Sequence, residues 1–311
     1  MLAKMTKEQQ LPAGFTVRPA TMADLETAVF LMNVCSQDQV GRNEHNVADT
    51  KMEWTQKKFN LDTNTRLVFS AEGQLVGYLE IWDTHTVPVQ PWVWARVHPQ
   101  FAGLGIGTYL LQVAEERVSL AVTRIPEEAQ LSMRCGTLST HEPTKQLFTD
   151  FGMTAVRYFW DMLIDIEQQP AYPPLPAGIT LKTLADIQDL PKVAKATDEA
   201  FRDHWGYVEQ PEAEMLQDWR EWSEKDTKHD PTLCFLAMAG DEIAGVSLCR
   251  IESWHNPEWG WVDELAVRRP WRRQGIALAL LRHSFAEMYR RGKQHVGVGG
   301  DAQSLTGATR P

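Results

Sequence analysis

The chain has 311 residues, long for one compact domain and comfortable for two of about 150 residues each. Hydrophobic residues make up 43% and charged residues 23%, so each half can bury a core of ordinary globular character. A net charge of −10 argues against nucleic acid or an anionic membrane as the main partner, since both require a basic face, and fits a cationic or neutral small substrate.

The opening fourteen residues are polar and carry no apolar h-region, so residues 1–14 read as a flexible N-terminus and not a signal peptide. No apolar run approaches the ~20 residues of a membrane span. Cys35, Cys135, Cys234 and Cys249 form no CxxC pair and have no His cluster at zinc spacing, so buried thiols, no metal and a reducing, cytoplasmic setting are expected.

The first half then shows a strand over 15–19, a helix over 23–35 and a second helical stretch over 51–60. Two β-rich runs, 67–70 and 75–82, flank Glu72-Gly73 as a hairpin, and a further strand covers 92–97. A glycine-rich turn, Gly103 to Gly107, leads into a helix whose Ile106, Leu110 and Val113 share one face. Residues 167–178, EQQPAYPPLPAG, interrupt the pattern. Their prolines deny them helix and ladder hydrogen bonds, so they read as an extended linker.

The second half repeats the order: a strand over 179–183, helices over 186–202 and 212–224, a hairpin of 233–238 and 243–251, and a strand over 261–267. A helix with Leu278, Leu281, Phe285 and Met288 on one face follows. Gly105 and Gly275 occupy the same place about 170 residues apart, which makes the chain a duplication. The expected organisation is a domain over 15–166, a linker over 167–178 and a second domain over 179–311.

In the second copy a strand ends at Val267 and a helix begins near Gly275. The first N–H groups of such a helix lack internal partners and carry the positive end of its dipole. Small residues at 275 and 277 allow phosphate oxygens close to the backbone, and Arg268, Arg269, Arg272 and Arg273 reverse the local charge. That is what a diphosphate or a 3′-phosphate would need. Gly103-Leu-Gly-Ile-Gly107 is not a GxGxxG fingerprint, and no Gly-Lys-Ser/Thr follows.

Val267-x-x-x-x-Arg272-x-x-Gly275-Ile276-Ala277 after a strand resembles motif A of the GCN5-related N-acetyltransferase (GNAT) superfamily. The element order resembles that fold over nearly the whole chain, as a tandem pair similar in layout to mycothiol synthases. The resemblance implies an α/β chain of two GNAT-like domains, each a mixed, splayed central sheet flanked by helices. It implies acetyl-CoA as co-substrate, held by Leu265, Val267, Arg272, Arg273, Gln274, Gly275, Ile276 and Ala277, with no metal.

The copies differ where chemistry is expected. Aligned on the turn glycines, Ala102 stands opposite Arg272, and Val93 and Trp94 opposite Asp263 and Glu264. Phe148 stands where the family carries a tyrosine acid, so the first copy is expected to be non-catalytic. In the second copy a carboxylate near the thioester would serve as general base. Asp263 is favoured because it shares a strand face with Leu265, with Glu264 close behind; alternation separates the two unless a bulge intervenes. Trp205 and His204 are the expected substrate wall, part of an aromatic-rich half that includes Trp254. Ser304 to Arg310 resembles the start of the family's closing helix, so the second domain is expected to be truncated, with an uncovered sheet edge.

The expected function is transfer of an acetyl group to a primary amine of a small cationic substrate by direct attack, in a monomer or homodimer. The alternatives are a non-catalytic acyl-CoA-sensing tandem and a peptide N-terminal acetyltransferase.

Overall fold

The computed structural model describes residues 10–172, 174–226, 228–253 and 256–303. The chain divides into two compact units, Met1–Ala155 and Val156–Pro311. No helix among the described residues is long and apolar enough to cross a membrane.

The first unit runs β1 (Thr16–Arg18), α1 (Leu25–Val40), α2 (Val47–Trp54), α3 (Leu61–Asn64), β2 (Thr65–Phe69), β3 (Leu75–Trp82), β4 (Trp92–Val97), α4 (Ile106–Ser119), β5 (Arg134–Cys135) and α5 (Glu142–Asp150). Helix α1 continues five residues past its expected end, until Gly41 caps it with φ 72 and bonds back to Gln37. The expected helix over 51–60 is instead two short ones. Asn46 caps α2 through the Asp49 N–H, and Asn60 caps α3 through the Asp62 N–H.

Its sheet order is β1-β2-β3-β4-β5, antiparallel except for the parallel β4–β5 pair. One face packs on α4 through Val76, Leu79, Ile106 and Leu110. The other packs on α1 and α2 through Leu31, Met32, Trp54 and Tyr78.

The second unit runs β6 (Phe159–Asp165), β7 (Ile179–Thr183), α6 (Leu184–Ile187), α7 (Leu190–Phe201), α8 (Glu212–Lys225), β8 (Cys234–Ala239), β9 (Glu242–Arg250), β10 (Trp259–Val267), α9 (Ile276–Arg290) and β11 (His295–Asp301). The expected single helix over 186–202 is broken: Gln188 takes φ 51, Asp189 caps a new start and Pro191 enters the first turn. Sheet order is β6-β11-β10-β9-β8-β7.

Strand β6 corrects the expected boundary. All seven residues of β11 pair antiparallel with β6, from His295↔Asp165 to Asp301↔Phe159. The edge expected to lie uncovered is therefore paired, and the break falls after Ala155 instead of at residues 167–178. The proline-rich stretch belongs to the second unit, where Gln169 donates to the Ala286 carbonyl and the Tyr172 ring meets His283, both on α9. A full ladder satisfies seven residues of backbone that would otherwise be an open edge.

Candidate active site

The site is built on β10. Through Val262 this strand pairs on both sides, parallel to β11 and antiparallel to β9. Beyond the Val262↔Val298 pair, β10 has ladder partners only on β9, and β11 has them only on β6. The two central strands thus part after Val262 among the described residues. At the same point the β9 register slips, from Val262↔Cys249 to Glu264↔Leu248, leaving Asp263 as the extra residue of a β-bulge.

The bulge decides where the two carboxylates point. Val262 packs in the cluster under α9 with Ile276 and Leu280. Ala266, four residues on, packs under α7 with Val193 and Ala196. An unbroken strand would put both on one face. After the slip, Glu264 pairs with Leu248 of the α7-side cluster, and Asp263 lies beside Arg250, which is ion-paired to Asp226 at the end of α8. Both acids therefore face the α7–α8 side. The expectation that Asp263 shares a face with Leu265 is corrected, because Leu265 and Val267 pack with the α9 side.

Both carboxyls hold protons unusually tightly. Burial pushes Asp263 up to about 7, opposed by Arg250 and reinforced by Glu264 and Asp226. Burial alone pushes Glu264 to about 7. A quarter of the Asp263 side chain stays open to solvent, and its Oδ2 lies 3.9 Å from Arg250 Nε. Glu264 Oε2 is shielded and has no hydrogen-bond partner among the described residues. The environment of Glu264 marks it as a base at least as strongly as that of Asp263.

After β10 the chain turns through Arg268 to Gln274 and enters α9. Gly275 caps the helix at φ 84, and a Cβ there would meet nothing within 4 Å, so the first turn of α9 is open to a ligand. Arg273 holds φ 64, where the first unit has Gly103 at φ 79. A non-glycine residue there costs about 1–2 kcal/mol. Gln274 and Ala277 are exposed, while the Ile276 side chain is buried in the core and offers only its backbone.

The arginines are mostly engaged. Arg272 donates to the Val267 and Ala200 carbonyls and to Asp203, tying the end of β10 to the end of α7. Arg269 also pairs with Asp203, and the two guanidiniums hold that carboxyl well below the usual carboxylate range. Arg268 pairs with Glu199 and Glu242. The charge reversal expected from the sequence is therefore largely balanced by acids remote in sequence. Arg273, exposed and in no ion pair among the described residues, is the cation left at the turn.

Trp205 lies under the guanidinium of Arg157, 5.2 Å from its ring centroid, and Arg157 bonds Asp301 at the end of β11. His204 is exposed and packs edge-on against Phe201. Trp254 and the run from Ser304 to Arg310 lie outside the described residues. Arg250 and Asp226, buried behind Asp263, had no motif to announce them in the sequence.

The first unit keeps the frame with other chemistry. Its β4–β5 ladder holds only Trp92↔Arg134 and Val93↔Cys135 while β4 runs on to Val97, and Gly105 caps α4 at φ 81. Its carboxylate sits one strand over. Glu80 on β3 is directly opposite Trp94, where the second unit sets Leu248 opposite Glu264. Glu80 is buried and accepts from Tyr78 Oη at 2.7 Å and Trp82 Nε1 at 3.0 Å.

The fold has relatives among known proteins. A family model described as the acetyltransferase (GNAT) family matches residues 32–125 and 192–306. The solved structure of a GCN5-related N-acetyltransferase from Sphaerobacter thermophilus is 30% identical with a TM-score of 0.78, covering 97% of this chain and 91% of that one. A tandem GNAT protein from the clavulanic acid biosynthesis pathway has a TM-score of 0.64 at 14% identity, covering 93% and 91%, a likeness of fold alone. The curated mycothiol acetyltransferase of Saccharopolyspora erythraea is 25% identical over 190 residues, and the chain spans 60% of that relative's length.

Proposed function

The chain belongs to the acetyltransferase (GNAT) family, and on that premise we propose that it transfers an acetyl group from acetyl-CoA to a primary amine of a small cationic substrate. The reaction is read into the second unit. When bound, acetyl-CoA supplies an acyl group on a good leaving group, the thiolate. The open first turn of α9, from Gln274 to Ala277, offers N–H groups and a dipole to its diphosphate, with exposed Arg273 beside them. The β10 backbone from Leu265 to Val267, which has ladder partners only on β9 among the described residues, offers hydrogen bonds to the amide-bearing arm.

Glu264 and Asp263 carry the proton chemistry. An ammonium substrate must lose its charge before its nitrogen can attack. Carboxyls with affinities near neutral pH accept that proton at the pH where the reaction runs. The new N–C bond forms as the C–S bond breaks, the acylated nitrogen sheds its second proton, and that proton, passed through solvent, balances the one taken up by the departing thiolate. Asp263 beside Arg250, itself paired to Asp226, and Glu264 next along β10 leave excess negative charge that attracts a cation.

The observation that carries this reading is the bulge at Asp263, which turns two proton-hungry carboxyls to one side just where the central strands part. Thiol release from acetyl-CoA, measured over polyamines, amino sugars and amino-acid derivatives, tests it. At least one amine should turn over. A D263N/E264Q variant should lose about 100-fold or more in kcat while binding acetyl-CoA normally. Binding without turnover on any amine would overturn the reading in favour of acyl-CoA sensing, and turnover on peptides alone would favour N-terminal acetylation.

A further inference from the structure

Behind Asp263 lies a buried ion pair that the reaction as proposed above does not use. Arg250, the last residue of β9, has a side chain 4% exposed, and Asp226 at the end of α8 has one 3% exposed. Arg250 Nη1 is 3.1 Å from Asp226 Oδ2, and Nη2 donates to Oδ1 at 3.3 Å. Asp226 also accepts from the Lys228 N–H, and its own N–H donates to the Trp222 carbonyl, which fixes it at the helix end. Two nitrogens of the guanidinium thus serve Asp226, while the third lies 3.9 Å from Asp263, outside hydrogen-bond range.

The first unit lacks this arrangement, which links it to the acids and not to the fold. Gly77 and Gly245 match, each lying against the isoleucine that opens the following helix and each paired with the last residue of the next strand. Counting from them sets Trp82 in the place of Arg250. Trp82 donates to Glu80, and the neighbouring Asp83 is paired with Arg117 and Arg124, both more exposed than Arg250. A buried ion pair is weak evidence for stability, because desolvation offsets most of the attraction. Its place within 3.9 Å of the acid at the bulge calls for another role.

We propose that Arg250 and Asp226 are a positioning pair for Asp263: Asp226 holds the guanidinium and balances its charge, so that Arg250 steadies the Asp263 carboxylate without locking it into a full ion pair. Without Asp226 the buried guanidinium would lose the carboxylate it is bonded to, and Asp263, 3.9 Å away, would be drawn toward it. A carboxylate so paired is held ionised and accepts a proton poorly. The titratable groups that act electrostatically on Asp263 are Arg250, Glu264 and Asp226, with the Cys249 and Cys234 thiols in turn feeling its charge and His229 acting on Asp226. The thiols are neutral near pH 7, since burial raises both. Among the described residues Arg250 is thus the cation that acts on Asp263, and Asp226 is the acid bonded to it.

This inference rests on the acetyltransfer reading, so its test includes a readout independent of turnover. The carboxyl carbon of Asp263 is followed by NMR in the full-length protein, assigned as the resonance absent from Asp263→Asn. In Asp226→Asn its titration midpoint should fall by about one pH unit or more. In the double variant D226N/R250M, which removes both charges and suits a buried site, it should rise above the wild type. The acid limb of kcat/KM should move the same way in each. A packing role alone would lower stability and leave both midpoints in place. Unchanged midpoints in the double variant, which remains informative if Asp226→Asn does not fold, would overturn the proposal. Shifted midpoints in a protein that acetylates no amine would overturn the acetyltransfer reading and leave the pair's electrostatic role standing.

Discussion

Replacing Glu264 by Gln should stabilise the second unit at pH 8 and leave it nearly unchanged at pH 4. Burial raises the Glu264 carboxyl from its ordinary value of 4.5 to about 7. Below 4.5 the folded and unfolded chains both carry the proton, so the group contributes no pH dependence. Between 4.5 and 7 the unfolded chain releases the proton while the folded one keeps it, and stability falls as pH rises. Above 7 the loss is complete. Each tenfold difference in proton affinity is worth about 1.4 kcal/mol, so the full loss is on the order of 3 kcal/mol, and about 2–3 kcal/mol allowing for partial solvent access. Gln carries no charge and escapes the loss, while any cost of its buried amide is the same at both pH values. Calorimetric melting at pH 4 and pH 8, on wild type and Glu264→Gln, reads the difference. At about 2–4 °C per kcal/mol, the variant should gain about 5–10 °C at pH 8 relative to its effect at pH 4. An equal effect at the two pH values would show that Glu264 is ordinarily ionised in the fold, and the account of the base would fail.

Other expectations follow from packing and backbone. A Cβ at Gly297 would run into the Trp261 ring, so Gly297→Ala should destabilise the second unit by about 1–3 kcal/mol, visible in its melting temperature. Met162→Pro removes a ladder donor in β6 opposite Val298; faster amide exchange along β11 should accompany a loss of about 3 kcal/mol, whereas unchanged exchange would place β6 outside that sheet. Gly275→Val forces a branched side chain onto φ 84 at the mouth of the turn and should weaken acetyl-CoA binding by about tenfold or more with circular dichroism unchanged. Asp203→Ala frees Arg269 and Arg272 from their shared acid and should raise KM for acetyl-CoA more than it lowers kcat.

Much of this was written locally in the sequence. The hairpins, the glycine turn and the amphipathic α4 and α9 follow from short-range pattern, and β4 and β7 fall on their expected residues. The break between α6 and α7 also had a local signal, Asp189 before Pro191, which reads as a helix start. What stayed hidden depends on distance. Strand β6 pairs with residues about 130 positions away, and nothing in 159–165 names its partner. The motif arginines suggested an anion site, but Glu199, Asp203 and Glu242, which balance three of them, lie roughly 30 to 70 residues upstream. The acidic pair was legible as a pair. Its common direction was not, because one slipped register between β9 and β10 reverses every side chain beyond it.

Amide hydrogen exchange on the full-length chain, with and without acetyl-CoA, tests the central claim most directly. Binding in the parted strands and the open helix start of the second unit should protect backbone amides within 263–267 and 274–277. Protection absent from those segments, or confined to the first unit, would contradict it.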